Sequence, residues 1–187
     1  MSGIRVIAGE AKGRKLLRVP DREVRPIGDR VKEALFNIIG REIDGSTFLD
    51  LFAGTGSVGI EAISRGARLV VFVDNNRRAI ETVEKNLELT GFRTKAQILH
   101  TDALSLLSRN VEEPFDYVYV APPQYKGLWS KAIKTIDSNP GLLNPDAWVI
   151  AQMHPKEAED LNLKHLEEFD RRKYGNTMLI FYLHGGA

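Results

Sequence analysis

Cysteine is absent from all 187 residues, so no disulfide framework of the kind that staples small secreted domains can form. No apolar run reaches the roughly 18 residues that a membrane span needs, and the N-terminus shows no apolar signal core with a small-residue cleavage site. These absences set the expectation of a cytoplasmic protein without a membrane partner. Paired histidines are missing too: His100, His154, His165 and His184 are spread along the chain, none at metal-ligand spacing, so no metal is expected. Trp129 and Trp148 read as core or cofactor-flanking residues. No internal repeat and no low-complexity tract occurs.

The length fits one domain with a sizeable core plus a small appendage. The net charge of +1 conceals an asymmetry: residues 1–41 carry ten Lys or Arg against five acids, leaving the remainder at −4. A basic arm on a neutral-to-acidic body has polyanions as its natural partner. From Ile4 to about Pro26, short apolar pieces alternate with glycine and basic residues, which predicts a small β-hairpin or extended arm outside the core. Asp29 is placed to cap a helix whose Val31, Ala34, Leu35, Ile38 and Ile39 follow helical spacing, with Gly40 beyond its end. The expected division is therefore an arm over 1–28 and a catalytic domain over 29–187.

After Asp44-Gly45 the pattern becomes alternating strand and helix, the signature of a doubly wound α/β sheet with helices on both faces. Thr47-Phe48-Leu49, Val70 to Val73, Ala96 to Leu99, Tyr117 to Val120 and Ala147 to Gln152 read as strands in a mostly parallel sheet. Helices are expected over Ser57 to Arg65, Asn76 to Leu89 and near Lys156 to Leu161. Strands around Leu166 to Arg171 and Met178 to Tyr182 are close enough to form an antiparallel hairpin at the sheet edge.

Asp50-Leu51-Phe52-Ala53-Gly54-Thr55-Gly56-Ser57-Val58-Gly59 places a Gly-x-Gly-x-x-Gly turn directly after the first strand. Such a turn lets backbone lie against a ligand. In nicotinamide proteins it holds a pyrophosphate, and a nicotinamide oxidoreductase is one reading. Asp50, however, would oppose a pyrophosphate and favour a cation, and S-adenosylmethionine carries a sulfonium and an ammonium. Phe52, Ala53, Gly54 and Gly56 would then line its cradle. Asp74, ending the second strand with Asn75 beside it, suits the ribose hydroxyls. Asp102, just after the third strand, suits an adenine amino group, with the small Ala103 admitting the ring; it also fits a helix N-cap, and the two roles are compatible.

This combination, with a Pro-Pro segment after the fourth strand, resembles class I S-adenosylmethionine-dependent N-methyltransferases. More closely it resembles the bacterial 16S ribosomal RNA guanine-N2-methyltransferase family. That family opens with a basic Arg-x-Gly-x-x-x-Gly-Arg-x-Leu-like arm, matched by Arg5 to Gly9 and Gly13 to Leu16, and continues with a segment matched by Arg25-Pro26-Ile27-Gly28-Asp29-Arg30-Val31-Lys32-Glu33. Tyr174-Gly175-Asn176-Thr177 matches its terminal element. The resemblance covers nearly the whole chain. It implies a Rossmann-like fold, S-adenosylmethionine as cofactor, methyl transfer to a guanine amino group, and 16S rRNA or an assembling small subunit as partner of a monomer. It assigns catalysis to the loop Ala121, Pro122, Pro123, Gln124 and Tyr125, where the loop side chain and the first proline carbonyl accept from the amino group and an aromatic ring stacks on the base. Arg5, Lys12, Arg14, Arg25 and Arg30 are the expected RNA grip.

Two residues depart from the family pattern. Its loop opens with Asp where this chain has Ala121, which accepts no side-chain hydrogen bond; Gln124 is the candidate to turn its amide oxygen inward as a substitute, and Tyr125 to take over the stacking after a one-residue shift of the loop. Ile27, followed by Gly28, stands where the family has threonine. The loss at Ala121 also favours a second reading, a catalytically silent protein that binds cofactor and RNA or aids ribosome assembly.

Overall fold

Strand-forming runs that are apolar on both sides require cover on both sides. Four consecutive buried residues make up β1 (Thr47–Asp50), and β2 (Leu69–Asp74) and β4 (Phe115–Val120) are almost as enclosed. With β3 (Ala96–His100), β5 (Leu143–Met153), β6 (Leu166–Tyr174) and β7 (Thr177–His184) they form one seven-stranded sheet in the order β3-β2-β1-β4-β5-β7-β6. β1 to β5 run parallel; β7 is antiparallel to both β5 and β6. The computed structural model describes residues 3–21 and 26–185.

Residue parity along the strands separates two cores. Phe48, Phe72, Tyr117, Tyr119, Ile150 and Phe181 face one side, covered by α1 (Asp29–Ile39), α2 (Ser57–Ser64) and α3 (Arg77–Thr90). Leu49, Val71, Val118, Val149 and Ile180 face the other, covered by α4 (Ala103–Leu107) and α5 (Leu128–Asp137). The result is the expected three-layer α/β sandwich. Among the described residues, no helix is long and apolar enough to cross a membrane.

The N-terminal hairpin forms, through the antiparallel bridge between Arg5 and Lys15 and the bond from Leu16 N to Ile4 O (2.8 Å). Unlike the expected detached arm, it puts Ile4, Val6, Ala11 and Leu16 into the first core. Buried polar side chains seat it. Glu61 on α2 accepts from the amides of Ile7 (2.9 Å) and Ala8 (3.0 Å), and Ser64 bonds both Ala8 O and Ala11 N. Gly9 has a φ of +83°, and a Cβ there would lie 1.8 Å from the Ser64 carbonyl oxygen, so this contact admits only glycine. Lys32, fully buried on α1, donates to Arg5 O (2.6 Å) and Ser57 Oγ (2.9 Å) and lies 3.4 Å from Glu61. Burial pulls its pKa down while Glu61 opposes that shift.

Three local expectations change. Asp29 does not cap α1: Gly28 occupies the cap position without a side-chain bond, and Asp29 pairs with Arg5 at 3.0 Å. The expected helix over 156–161 reduces to a 3-10 turn, Pro155–Glu157, because Ala158, Leu161 and Leu163 pack on the second core in an extended path. In the other direction, α5 arises where no helix was expected, burying Trp129, Ala132, Ile133 and Ile136 at helical spacing. Fully burying large apolar side chains of this kind contributes about 1.5–3 kcal/mol each.

Candidate active site

Strand order reverses between β1 and β4, and in open α/β sheets the crevice beyond the carboxyl ends at such a point receives ligands. A cavity of about 820 Å³ opens there. Its floor is the end of β1 and the glycine loop, which is held by Ala53 N donating to Val73 O (2.8 Å) and Gly56 N to Ala53 O (2.8 Å). Gly56 adopts a left-handed φ of +78° and caps α2, where a Cβ would press on Val83 (3.2 Å) in the core behind the loop.

The structure brings the predicted cofactor residues together. Asp50, Phe52, Ala53, Gly54, Asp74, Asn75, Asp102 and Ala103 all line the cavity, whereas Gly56 supports it from behind. Asp74 accepts from Gly54 N through one oxygen (2.9 Å) and from Asn76 N through the other (2.8 Å), tying the glycine loop to the start of α3; each oxygen retains a lone pair for a ligand hydroxyl. Asp102 caps α4 by accepting from Ser105 N (2.8 Å) through Oδ2, so the cap is real and Oδ1 remains available. Asp50 is 1% exposed and accepts from Gly59 N (3.0 Å). Burial is the main cause lifting its pKa to about 8, with the Gly59 amide opposing and Asp74 adding to the shift.

Of the loop expected to be catalytic, Ala121 and Pro122 are half-buried, while Pro123, Gln124 and Tyr125 are exposed. Tyr125 has a φ of +60°, and two partners hold it: Glu157 accepts its amide at 2.7 Å, and His154 lies ring to ring at 5.5 Å. Glu157 and His154 also cap each other's turn, so this short segment braces the loop. The ring of Tyr125 is not packed in the core; it is 64% exposed at the cavity rim.

Several cavity-lining residues are not expected there from the sequence, although Ile27 already stands out as a departure from the family pattern. Asp21, Pro26 and Ile27 bring the arm to the cavity, and Tyr119 and Gln152 form its far wall, joined by a hydrogen bond from the Tyr119 hydroxyl to the Gln152 side-chain oxygen. Gln152 and Met153 stand at the carboxyl end of β5, and the rule that strand ends build the crevice points to them directly. The expected RNA-gripping residues Arg5, Lys12, Arg14 and Arg30 are all exposed. Arg25 lies outside the described residues.

Charge decides which ligand fits. Four carboxyl groups, Asp21, Asp50, Asp74 and Asp102, line the cavity, and among the described lining residues Lys126 is the one Lys or Arg. Even with Asp50 holding its proton the lining is acidic overall, which favours a neutral adenosine joined to a cationic tail, as in a sulfonium nucleoside, over the pyrophosphate of a dinucleotide.

The model of the family described as "Conserved hypothetical protein 95" matches residues 4–183. The chain belongs to that family. It is 40% identical over 158 residues to "Putative rRNA methyltransferase YlbH" of Bacillus subtilis, covering 83% of this chain and 85% of that protein. To "Ribosomal RNA small subunit methyltransferase D" of Haemophilus influenzae it is 37% identical, covering 80% and 78%. The solved structure of "Putative methyltransferase yhhF" from Escherichia coli superposes with a TM-score of 0.87 at 30% identity, over 98% of this chain and 99% of that one. The fold is the Rossmann-like fold of class I methyltransferases.

Proposed function

We propose that this chain is an S-adenosylmethionine-dependent methyltransferase acting on the exocyclic N2 amino group of a guanine in small-subunit ribosomal RNA. The observation that carries the reading is the carboxylate-lined crevice meeting the Ala121 to Tyr125 loop at the sheet's switch point. The names of similar relatives support the RNA substrate, and the exposed cations Lys12, Arg14, Lys15 and Arg18 support a polyanion grip by the arm over 1–28 on behalf of the domain over 29–187.

Bound S-adenosylmethionine supplies an already activated sulfonium methyl, so little acid–base strength is asked of the protein. Asp74 and Asp102 would hold the ribose and adenine ends, the glycine loop would set their depth, and Asp50 would offer its carboxyl to the cationic end. The Pro122 carbonyl accepts from the target amino group and Tyr125 offers its exposed face to an extruded base. Orientation of nitrogen against methyl carries the rate, a contribution on the order of 7–11 kcal/mol in favourable intramolecular cases.

Transfer of labelled methyl groups to unmodified small-subunit RNA, or to assembled subunits, tests the reading; incorporation mapped to one guanine N2 is the expected result. Ala121 specifically favours the silent alternative. Binding of both cofactor and RNA without incorporation would establish that alternative and overturn the enzyme.

A further inference from the structure

Ala121 leaves the wall of the site without a side-chain acceptor where the target amino group would lie, and the residues following it do not fill the gap from within the loop. Gln124 is exposed beyond two prolines, and Tyr125 is turned and held by Glu157 and His154. The neighbouring strand does fill it. Val120 on β4 pairs with Ala151 on β5, so Ala121, the first residue past β4, and Gln152 on β5 each stand one residue further along. Both share the parity of the first core's face: Ala121 with Tyr119, Gln152 with Ile150. Both line the cavity.

Gln152 is also oriented. The Tyr119 hydroxyl donates to its carboxamide oxygen, and Tyr119 pairs across the sheet with Asp50. Burial and the nearby Asp50 push the Tyr119 pKa well above its ordinary value, so the phenol stays a donor and the amide oxygen stays turned toward it. One lone pair on that oxygen remains, and among the described residues the amide nitrogen donates to none.

We propose that Gln152 supplies the acceptor that Ala121 lacks: its carboxamide oxygen receives a hydrogen of the target amino group, and Tyr119 is the positioning residue that aims it. This rests on the guanine-N2 reading above and deepens it. A carboxamide offers an acceptor and a donor side by side, which matches the N2 amino donor and the adjacent N3 acceptor of guanine, whereas a carboxylate offers acceptors alone. During transfer the nitrogen–methyl bond forms as the sulfur–methyl bond breaks, the electron pair stays on sulfur, and the nitrogen releases a proton to water. Gln152 takes no proton; it holds the nitrogen lone pair toward the methyl.

The test compares wild type, Gln152→Ala and the double variant Gln152→Ala with Ala121→Asp. Single-turnover transfer at saturating RNA should fall about ten- to a hundredfold in Gln152→Ala, the size of effect that one unmade hydrogen bond in a dry site produces. Cofactor affinity by calorimetry should stay within about twofold of wild type, and Ala121→Asp in the Gln152→Ala background should restore at least half of the loss on a logarithmic scale. A second readout needs no turnover: anisotropy with a short RNA carrying the mapped guanine or inosine, which lacks the 2-amino group. Wild type should prefer guanine, and Gln152→Ala should lose that preference. Wild-type-like rates in Gln152→Ala, or an unchanged guanine preference, overturn the proposal. If wild type itself transfers no methyl group, the functional reading fails first, and the two failures are distinct.

Discussion

Asp50 shows how far a single buried group sets the behaviour of this site. In the folded chain its pKa is raised from 3.8 to about 8, whereas in the unfolded chain it ionises near its ordinary value. Between those limits the native state keeps a proton that the unfolded state has lost. The stability contribution is therefore fully present below about pH 4 and is lost as the pH climbs through about 8. Asp50→Asn keeps an oxygen for Gly59 N and removes the titration. Urea midpoints measured from pH 5 to 8.5 should fall less steeply with pH in the variant than in wild type, and parallel curves would refute the assignment. The same carboxyl shows why sequence reading expected a cation site but not the group's resting state. Acid at that position is visible in the sequence, whereas its 1% exposure exists only once α2 has closed over it.

Among the secondary-structure elements, α3 ties the arm to the glycine loop through a buried side chain, as Lys32 does from α1. Asn86, fully buried on α3, accepts from Leu17 N (2.7 Å) and donates to Leu17 O (3.1 Å) and to Thr55 O (2.8 Å). Asn86→Ala leaves all three backbone groups unpaired, and a loss of about 1–3 kcal/mol in chemical denaturation is expected. Hydrogen exchange at the Leu17 amide should accelerate with it. The strands were legible because alternation and strand-ending prolines are written locally, in runs such as Tyr117 to Pro123. α5 was missed although Trp129, Ala132, Ile133 and Ile136 carry helical spacing, because Gly127 and the polar Lys131, Lys134 and Thr135 obscured it. Asn86 and Gln152 were missed for another reason. A polar residue in a helix or at a strand end reads as solvated, and only the tertiary fold shows what it reaches.

For the whole molecule, the exposed cations of the hairpin, among them Lys12, Arg14, Lys15 and Arg18, form a separate field from the carboxylate-lined crevice. On the proposed reading, RNA phosphate and cofactor would be attracted to different places. The double variant Lys12→Ala with Arg14→Ala should weaken RNA binding and flatten the dependence of log affinity on log salt by about 1.5–2, while leaving cofactor affinity unchanged. Filter binding across a salt series checks the slope; an unaltered slope would remove these two side chains from the RNA interface.

The position of β7 bears on how the molecule is made. Its residues, 177–184, pair with β5 on one side and β6 on the other, so an interior strand comes from a part of the chain made after both its neighbours. While a ribosome is still short of residue 184, β5 has parallel β4 on one flank and bare amide and carbonyl groups on the other. An open, apolar flank of that kind invites pairing with foreign strands. Nascent chains stalled before β7 should therefore depend on chaperones in a way that released chains do not.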